Sequence, residues 1–231
     1  MANISVNDIT TSNETGTATF TVTLSEAVGS DVTVDFTTSS QTLNFTAANI
    51  ATSADGAYDV HVADMDGDGD LDIISASSND DTIAWYENDG AADPSWSAVD
   101  IATSADGAVD VHVADMDGDG DLDIVSASVF DDAIAWYEND GAADPTWSAA
   151  DIATSADGAF AVHVADMDGD GDLDIVSASS LDNTIAWYEN NGAADPTWSA
   201  VDIATSADEA RDIYVADMDG DGDLDLSLIH I

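Results

Sequence analysis

The 231-residue sequence contains no cysteine and has Arg211 as its single lysine or arginine. Without cysteine, the chain cannot form disulfides or use a thiol nucleophile. Against that single arginine stand 49 acidic residues, which give a formal net charge of −48. Because lysine and arginine are the residues that neutralise phosphates, we expect no nucleic-acid partner.

Long apolar segments are also missing from the sequence. No run reaches transmembrane length, and the first residues lead into a polar segment rather than into the apolar core of a signal peptide. We therefore predict no membrane insertion. Hydrophobic residues nevertheless make up 45% of the chain, which is enough to form a buried core.

What the sequence does contain is a nine-residue motif that occurs four times. The motif Asp-Met-Asp-Gly-Asp-Gly-Asp-Leu-Asp begins at Asp64, Asp115, Asp166 and Asp217, so its period is 51 residues. Five aspartates at alternate positions would repel one another in water unless a cation lay among them. Calcium takes six to eight oxygen ligands from flexible loops with a glycine at position six. The motif therefore predicts four calcium sites.

The ligand positions follow by analogy with the EF-hand loop. Side chains one, three, five and nine would bind the ion directly, and residue seven would contribute mainly its backbone carbonyl. The glycine at position six, Gly69 in the first copy, would adopt a positive φ that folds the loop around the ion. The candidate ligands are Asp64, Asp66, Asp68, Asp70, Asp72, Asp115, Asp117, Asp119, Asp121, Asp123, Asp166, Asp168, Asp170, Asp172, Asp174, Asp217, Asp219, Asp221, Asp223 and Asp225.

The residues around the motif indicate strands rather than the helices of an EF-hand. Position twelve is Ser75 instead of the bidentate glutamate. Each repeat offers four strand candidates, near residues 60–63, 71–77, 82–87 and 97–103, with turn-forming residues between them. Four short strands per repeat predict an all-β fold made of antiparallel β-propeller blades.

The third strand candidate indicates how such blades would pack. Ile83 and Trp85 alternate with Ala84 and Tyr86, so both faces of the strand are apolar and would contact neighbouring blades. A second set of aromatic residues recurs at Trp96, Trp147 and Trp198. We interpret these tryptophans as core residues in preference to sugar-stacking residues, because buried aromatic side chains dominate core energetics.

Residues 62–73 resemble the FG-GAP or VCBS repeat of integrin-type β-propellers. The resemblance extends over residues 44–225, which hold three full units and parts of two others. It implies a calcium loop between the first and second strands of each blade and, in complete propellers of the family, usually seven blades. Free cytosolic calcium is too scarce for loop sites with Kd of ~10⁻⁴ to 10⁻³ M, so we expect an extracellular or cell-surface location.

The two ends of the chain differ from the repeats. Residues 1–43 contain alternating strand patterns that resemble the opening strands of a Calx-beta domain, a calcium-associated β-sandwich. The second half of that sandwich is absent, so no calcium site is transferred to this segment. Residues 226–231 break the repeat and resemble a translated sequencing-library adapter, which predicts a non-native tail.

Other recurring positions offer further candidates for function. His61, His112 and His163 recur on the predicted inner strands, where they could bind a transition metal. The fourth copy has Tyr214 instead, and this exchange favours an aromatic packing position. Residues 129–130, in the loop between the second and third strands, are the best candidate for an apolar contact with a partner, although scattered surface apolar residues are common.

Three functions are compatible with these observations. The first is a non-enzymatic, calcium-stabilised extracellular module for structure, adhesion or recognition, with a surface protein or polysaccharide as partner. The second is a carbohydrate-binding propeller module of a larger secreted hydrolase. Catalysis by this chain is the weakest, because the sequence has no serine elbow, cysteine nucleophile or phosphate loop, and its carboxylates fit ligands better than an acid-base pair.

Overall fold

The computed structural model describes residues 4–6, 22–24 and 49–230. The chain divides into two compact units, residues 1–47 and residues 48–231. In the first unit, strands β1 (Ile4–Val6) and β2 (Val22–Leu24) form an antiparallel pair. The rest of the predicted Calx-beta-like segment lies outside the described residues, as does the last residue of the predicted tail.

The second unit is a series of antiparallel sheets, each built from strands that are consecutive in the sequence. The first blade contains β3 (Ala57–Ala63), β4 (Asp72–Ser77), β5 (Thr82–Asn88) and β6 (Trp96–Ala102). The second contains β7 (Ala108–Ala114), β8 (Asp123–Ser128), β9 (Ala133–Asn139) and β10 (Trp147–Ala153). The third contains β11 (Ala159–Ala165), β12 (Asp174–Ser179), β13 (Thr184–Asn190) and β14 (Trp198–Ala204). A partial fourth blade contains β15 (Ala210–Ala216) and β16 (Asp225–His230).

This architecture confirms the all-β prediction and the four-stranded blade. The first strand of each blade is three residues longer than its pattern indicated, because it begins at Ala57 and passes through a register shift between Ala57 and Asp59. The predicted tail contributes to β16, which pairs with β15. In the described part of the chain, no helix is long and apolar enough to cross a membrane.

The apolar core lies between successive blades. Ile74, Ile83 and Trp85 of the first blade pack in one cluster with Val111 and Tyr137 of the second. Full burial of an isoleucine such as Ile74 contributes about 1.5–3 kcal/mol, so each such interface is a main source of stability. The predicted packing of both strand faces against neighbouring blades is thus confirmed.

The recurring tryptophans belong to these interfaces. Trp147 contacts Trp85 edge-on with 6.5 Å between ring centroids, and Trp198 contacts Trp136 in the same way at 6.4 Å. Both contacts join an outer strand to the third strand of the preceding blade. This geometry confirms that these two tryptophans are packing residues.

Two kinds of hydrogen bond cross each of the complete interfaces. Asp59 Oδ2 accepts from the Val111 backbone N–H at 3.2 Å, and Asp110 Oδ2 accepts from Val162 N–H at 2.8 Å. In the opposite direction, the Asn139 Nδ2 amide donates to the Met65 carbonyl at 3.0 Å, and the equivalent bond in the next pair of blades is 2.8 Å. These bonds fix the register of one blade against the next.

Candidate metal centre

Each aspartate loop connects the first and second strands of a blade, which is where the FG-GAP resemblance predicted it. The first two loops span residues 64–71 and 115–122, and the ninth residue of each motif begins the following strand. The strand pair holds the two ends of the loop together. The loop therefore closes on itself without help from elsewhere in the chain.

Glycine backbone geometry shapes the loop. Asp115, at position one, accepts from Gly118 N–H at 2.8 Å through Oδ1 and from Gly120 N–H at 3.0 Å through Oδ2. Gly120 has a φ of 102°, as predicted for position six, and Gly118 at position four has a φ of 76°. Both conformations are strained for residues with a Cβ. The sequence analysis identified the need for glycine at position six only.

Three carboxylates converge in every loop. In the first and fourth loops they come from positions one, three and nine, and in the second and third from positions one, three and five. In each trio, one ligand atom per residue lies within 4.8 Å of the others. The trios are Asp64, Asp66 and Asp72; Asp115, Asp117 and Asp119; Asp166, Asp168 and Asp170; and Asp217, Asp219 and Asp225.

The aspartate at position nine has a second role that the spacing did not reveal. Asp123 Oδ2 accepts from Met116 N–H at 3.0 Å, and its Oδ1 accepts from Asn139 N–H at 2.8 Å. The residue is almost fully buried, and this burial raises the pKa of Asp123 to about 6. The carboxylate thus ties the loop to the third strand of its own blade.

The aspartate at position seven turns its side chain away from the trio. In the first three blades this carboxylate lies against the glycine that follows the third strand: Asp70 against Gly90, Asp121 against Gly141, and Asp172 against Gly192. A Cβ at any of these glycines would collide with the carboxylate. The side chain at position seven is therefore not among the converging groups, in agreement with the prediction that this residue offers its carbonyl.

The loops fit a hard divalent cation such as calcium. Asp64 Oδ1 is buried and lacks a hydrogen-bond partner, although carboxylate oxygens are costly to bury unpaired. Burial and the neighbouring carboxylates raise the pKa of Asp66, and the same causes raise the pKa of Asp117. A cation among the trio would satisfy the free oxygen and offset the repulsion, and these donors are the oxygen ligands that calcium prefers.

Comparison with known protein families agrees with this geometry. The model of the FG-GAP-like repeat matches three overlapping segments, residues 64–126, 118–177 and 166–227. The chain belongs to the FG-GAP-like repeat family. Repeats of this family are typical of extracellular proteins. The matches begin at Asp64, so the Calx-beta resemblance of the N-terminal segment stays a prediction, and no curated protein matches the chain.

A row of rings runs along the first strands of the FG-GAP-like blades. The ring centroids of His61 and His112 are 5.4 Å apart, those of His112 and His163 are 5.2 Å apart, and Tyr214 lies 6.0 Å from His163. Burial, with a smaller contribution from the two flanking histidines, lowers the pKa of His112 to about 4. The row favours packing over metal binding, since in the described residues the groups of three close ligand atoms all lie in the aspartate loops.

The most variable positions of the repeat gather at two places. Tyr58 contacts Phe160 edge-on at 5.7 Å, and the Arg211 guanidinium lies 4.9 Å from the centre of the Phe160 ring. Phe130, predicted as an apolar contact, is exposed and lies against Gly107, where a Cβ would approach its ring closely. The first group joins three blades, whereas Phe130 lies in a surface turn.

Proposed function

We propose that the four loops bind calcium and that the chain is an extracellular, calcium-stabilised module for structure, adhesion or recognition. The observation that supports this proposal most strongly is the recurrence of three carboxylates within 4.8 Å in all four loops. The buried, unpartnered Oδ1 of Asp64 supports it independently. Membership of a family typical of extracellular proteins fits the calcium-rich surroundings that such sites need.

Calcium would act here by linkage to folding. An ion that binds the folded loop and not the unfolded chain stabilises the fold by ~2.7 kcal/mol per site at a hundredfold excess over Kd. Four ions would also reduce the formal charge of −48 only to about −40, so the surface stays strongly acidic. The surface would then repel other anionic molecules and leave recognition to local contacts.

Calorimetric titration of chelator-treated protein with calcium tests the proposal. We expect four binding events, and Asp117→Asn should remove one of them, because it weakens a converging ligand of the second loop. Asp121→Asn is the matched control in the same loop, because its side chain packs against Gly141 and its carbonyl is retained. Absence of binding heat, or equal loss in both variants, would contradict the assignment.

We further propose that the chain acts without catalysis. The convergent carboxylates are accounted for as cation ligands, and those at position nine also hold backbone amides. Hydrolysis assays of the purified protein on glycoside, ester and peptide substrates would test this. Turnover that persists after calcium removal and disappears on substitution of a loop aspartate would contradict it.

Carbohydrate binding is the second candidate, and a groove between the second and third blades favours it. The groove encloses about 500 Å³ and is lined by Thr154, Asp182, Tyr188 and Asp202 among others. Hydroxyl, carboxylate and aromatic groups in one groove are suited to the polar edges and apolar faces of sugars. Saturable binding on a glycan array, lost in Asp202→Ala and retained in Asp100→Ala of the first blade, would favour this function.

A further inference from the structure

The first strand of the first blade leaves an apolar surface uncovered. Val60 and Val62 on β3 are 59% and 52% exposed, whereas the equivalent Val111 and Val113 on β7 are 3% and 9% exposed. The difference comes from the preceding blade, which covers β7 but has no counterpart beside β3 in the described residues. We call Val60, Val62 and the exposed Leu71 the leading face.

The partial fourth blade leaves the opposite surface uncovered. Met218 is 50% exposed, although the equivalent Met65 is buried beneath the second blade. Tyr214, which ends the row of histidine rings, is also exposed. We call Asp212, Tyr214 and Met218 the trailing face. It is the surface that, in the earlier blades, packs against the next blade.

The two faces have complementary hydrogen-bonding groups. At the complete interfaces, an aspartate on the first strand accepts from the next blade, and an asparagine at the end of the third strand donates back to a methionine carbonyl. On the leading face, the corresponding donors are Val60 N–H and the Asn88 amide, which contacts only its own blade at Leu71. On the trailing face, the corresponding acceptors are the Asp212 carboxylate and the Met218 carbonyl.

The width of the uncovered surface fits the partial blade. Ala84 and Tyr86, on the third strand of the first blade, are buried, so exposure on this side is greatest at the inner strand. A full four-stranded blade is therefore not needed to cover it. The sheet of β15 and β16 has two strands and presents the trailing face.

From these observations we propose that the leading face is an interaction surface whose partner is the trailing face of a second copy of this chain. The copies would dock head to tail, and His61 of one would continue the ring row after Tyr214 of the other. Such a contact is heterologous, so it closes into a ring or extends into a chain. The inference does not depend on calcium binding, because the contacts are apolar and involve neutral amide donors.

Sedimentation or light scattering of the full chain over a range of concentrations tests the proposal. The measurement belongs in calcium excess and about 1 M NaCl, where the screening length is about 3 Å and repulsion between acidic copies is suppressed. We expect association that Val60→Asp weakens at least about tenfold, because it places a charge in an apolar contact. Val99→Asp is the control, since Val99 is an exposed strand valine of the same blade that lies outside the leading face.

Thiol cross-linking keeps the test decisive if Val60→Asp impairs folding. The chain has no cysteine, so Asn88→Cys and Met218→Cys each introduce a single thiol. An equal mixture should give a cross-linked pair with a short thiol-reactive linker, whereas Val99→Cys mixed with Met218→Cys should not. A monomer at every concentration, or cross-linking that is equal in both mixtures, would overturn the proposal. Neither result would bear on the calcium titration.

Discussion

The first and fourth aspartate loops have the same nine residues in different surroundings. In both, the carboxylate at position one accepts from the glycine at position six at 3.0 Å. Met65 in the first loop is nevertheless buried beneath the second blade, whereas Met218 in the fourth is half exposed. The comparison separates two levels of structure: the loop conformation is local, and its burial is supplied by the next blade.

Calcium removal should have the largest effect, because it acts on all the loops whether they are covered or not. If the proposed sites are saturated, each contributes ~2.7 kcal/mol at a hundredfold excess, and the melting temperature should fall by at least about 10 °C in chelator. Differential scanning calorimetry with and without chelator measures this shift. Magnesium at the same concentration is the control, and an unchanged melting temperature would contradict calcium-linked stability.

Substitution of the second loop residue should separate the two environments. Met65→Ala should cost about 2–5 kcal/mol, because it leaves a cavity in the core between the first two blades. Met218→Ala should cost less than about 1 kcal/mol, since its side chain is half exposed. Urea unfolding of both variants gives the two free energies. Equal costs would mean that the fourth loop is covered in solution.

The bridging asparagines should show a smaller difference. Asn139 is buried and donates to both Met65 and Leu122, so Asn139→Ala should cost about 1–3 kcal/mol through the unpaired carbonyls. Asn88→Ala loses only the bond to Leu71 and should cost about 1 kcal/mol or less. Urea unfolding at low protein concentration provides the comparison. A larger cost at Asn88 would contradict the role assigned to the contact between blades.

The histidine row should give the smallest effect, as a dependence on pH. The folded-state pKa of His112 is about 4, below the unfolded value of about 6.5, so protonation favours the unfolded chain. Its contribution is complete above pH ~6.5 and is lost as the pH falls towards ~4. His112→Tyr, the residue of the fourth repeat, should remove about 1–2 kcal/mol of this loss.

The control for that measurement is His61→Tyr. His61 lies at the open end of the row, and burial lowers its pKa with an opposing contribution from Asp59. We expect this variant to retain most of the acid sensitivity of the native chain. Urea unfolding at several pH values in calcium excess would measure both variants, and an unchanged pH profile in His112→Tyr would contradict the assignment.

Repetition made much of the fold predictable from the sequence. The same strand pattern recurs every 51 residues, so chance alternation in one copy could be checked against the others. The position of the loop between the first two strands followed from the apolar segments on either side of it. The positive φ of Gly69 followed from the need to turn the chain around an ion.

The roles of individual aspartates could not be separated by spacing alone. Asp72 has the same alternate spacing as the other acidic residues, yet its carboxylate accepts from the backbone N–H groups of Met65 and Asn88. Asp70 packs against Gly90, which lies twenty residues further along the chain. Both roles depend on the return of the third strand to the loop, and this tertiary contact has no signal within the nine residues.

The bonds between blades have a consequence for how such a chain can change in length. One joins residues 52 positions apart and the other joins residues 74 positions apart, and every repeat carries an acceptor for its successor and a donor for its predecessor. A whole 51-residue unit can therefore be duplicated or deleted while each remaining junction keeps its partners. A shorter insertion would have to loop out at a surface turn to leave these bonds in place. Growth by entire units is thus the route that this architecture leaves open to gene duplication.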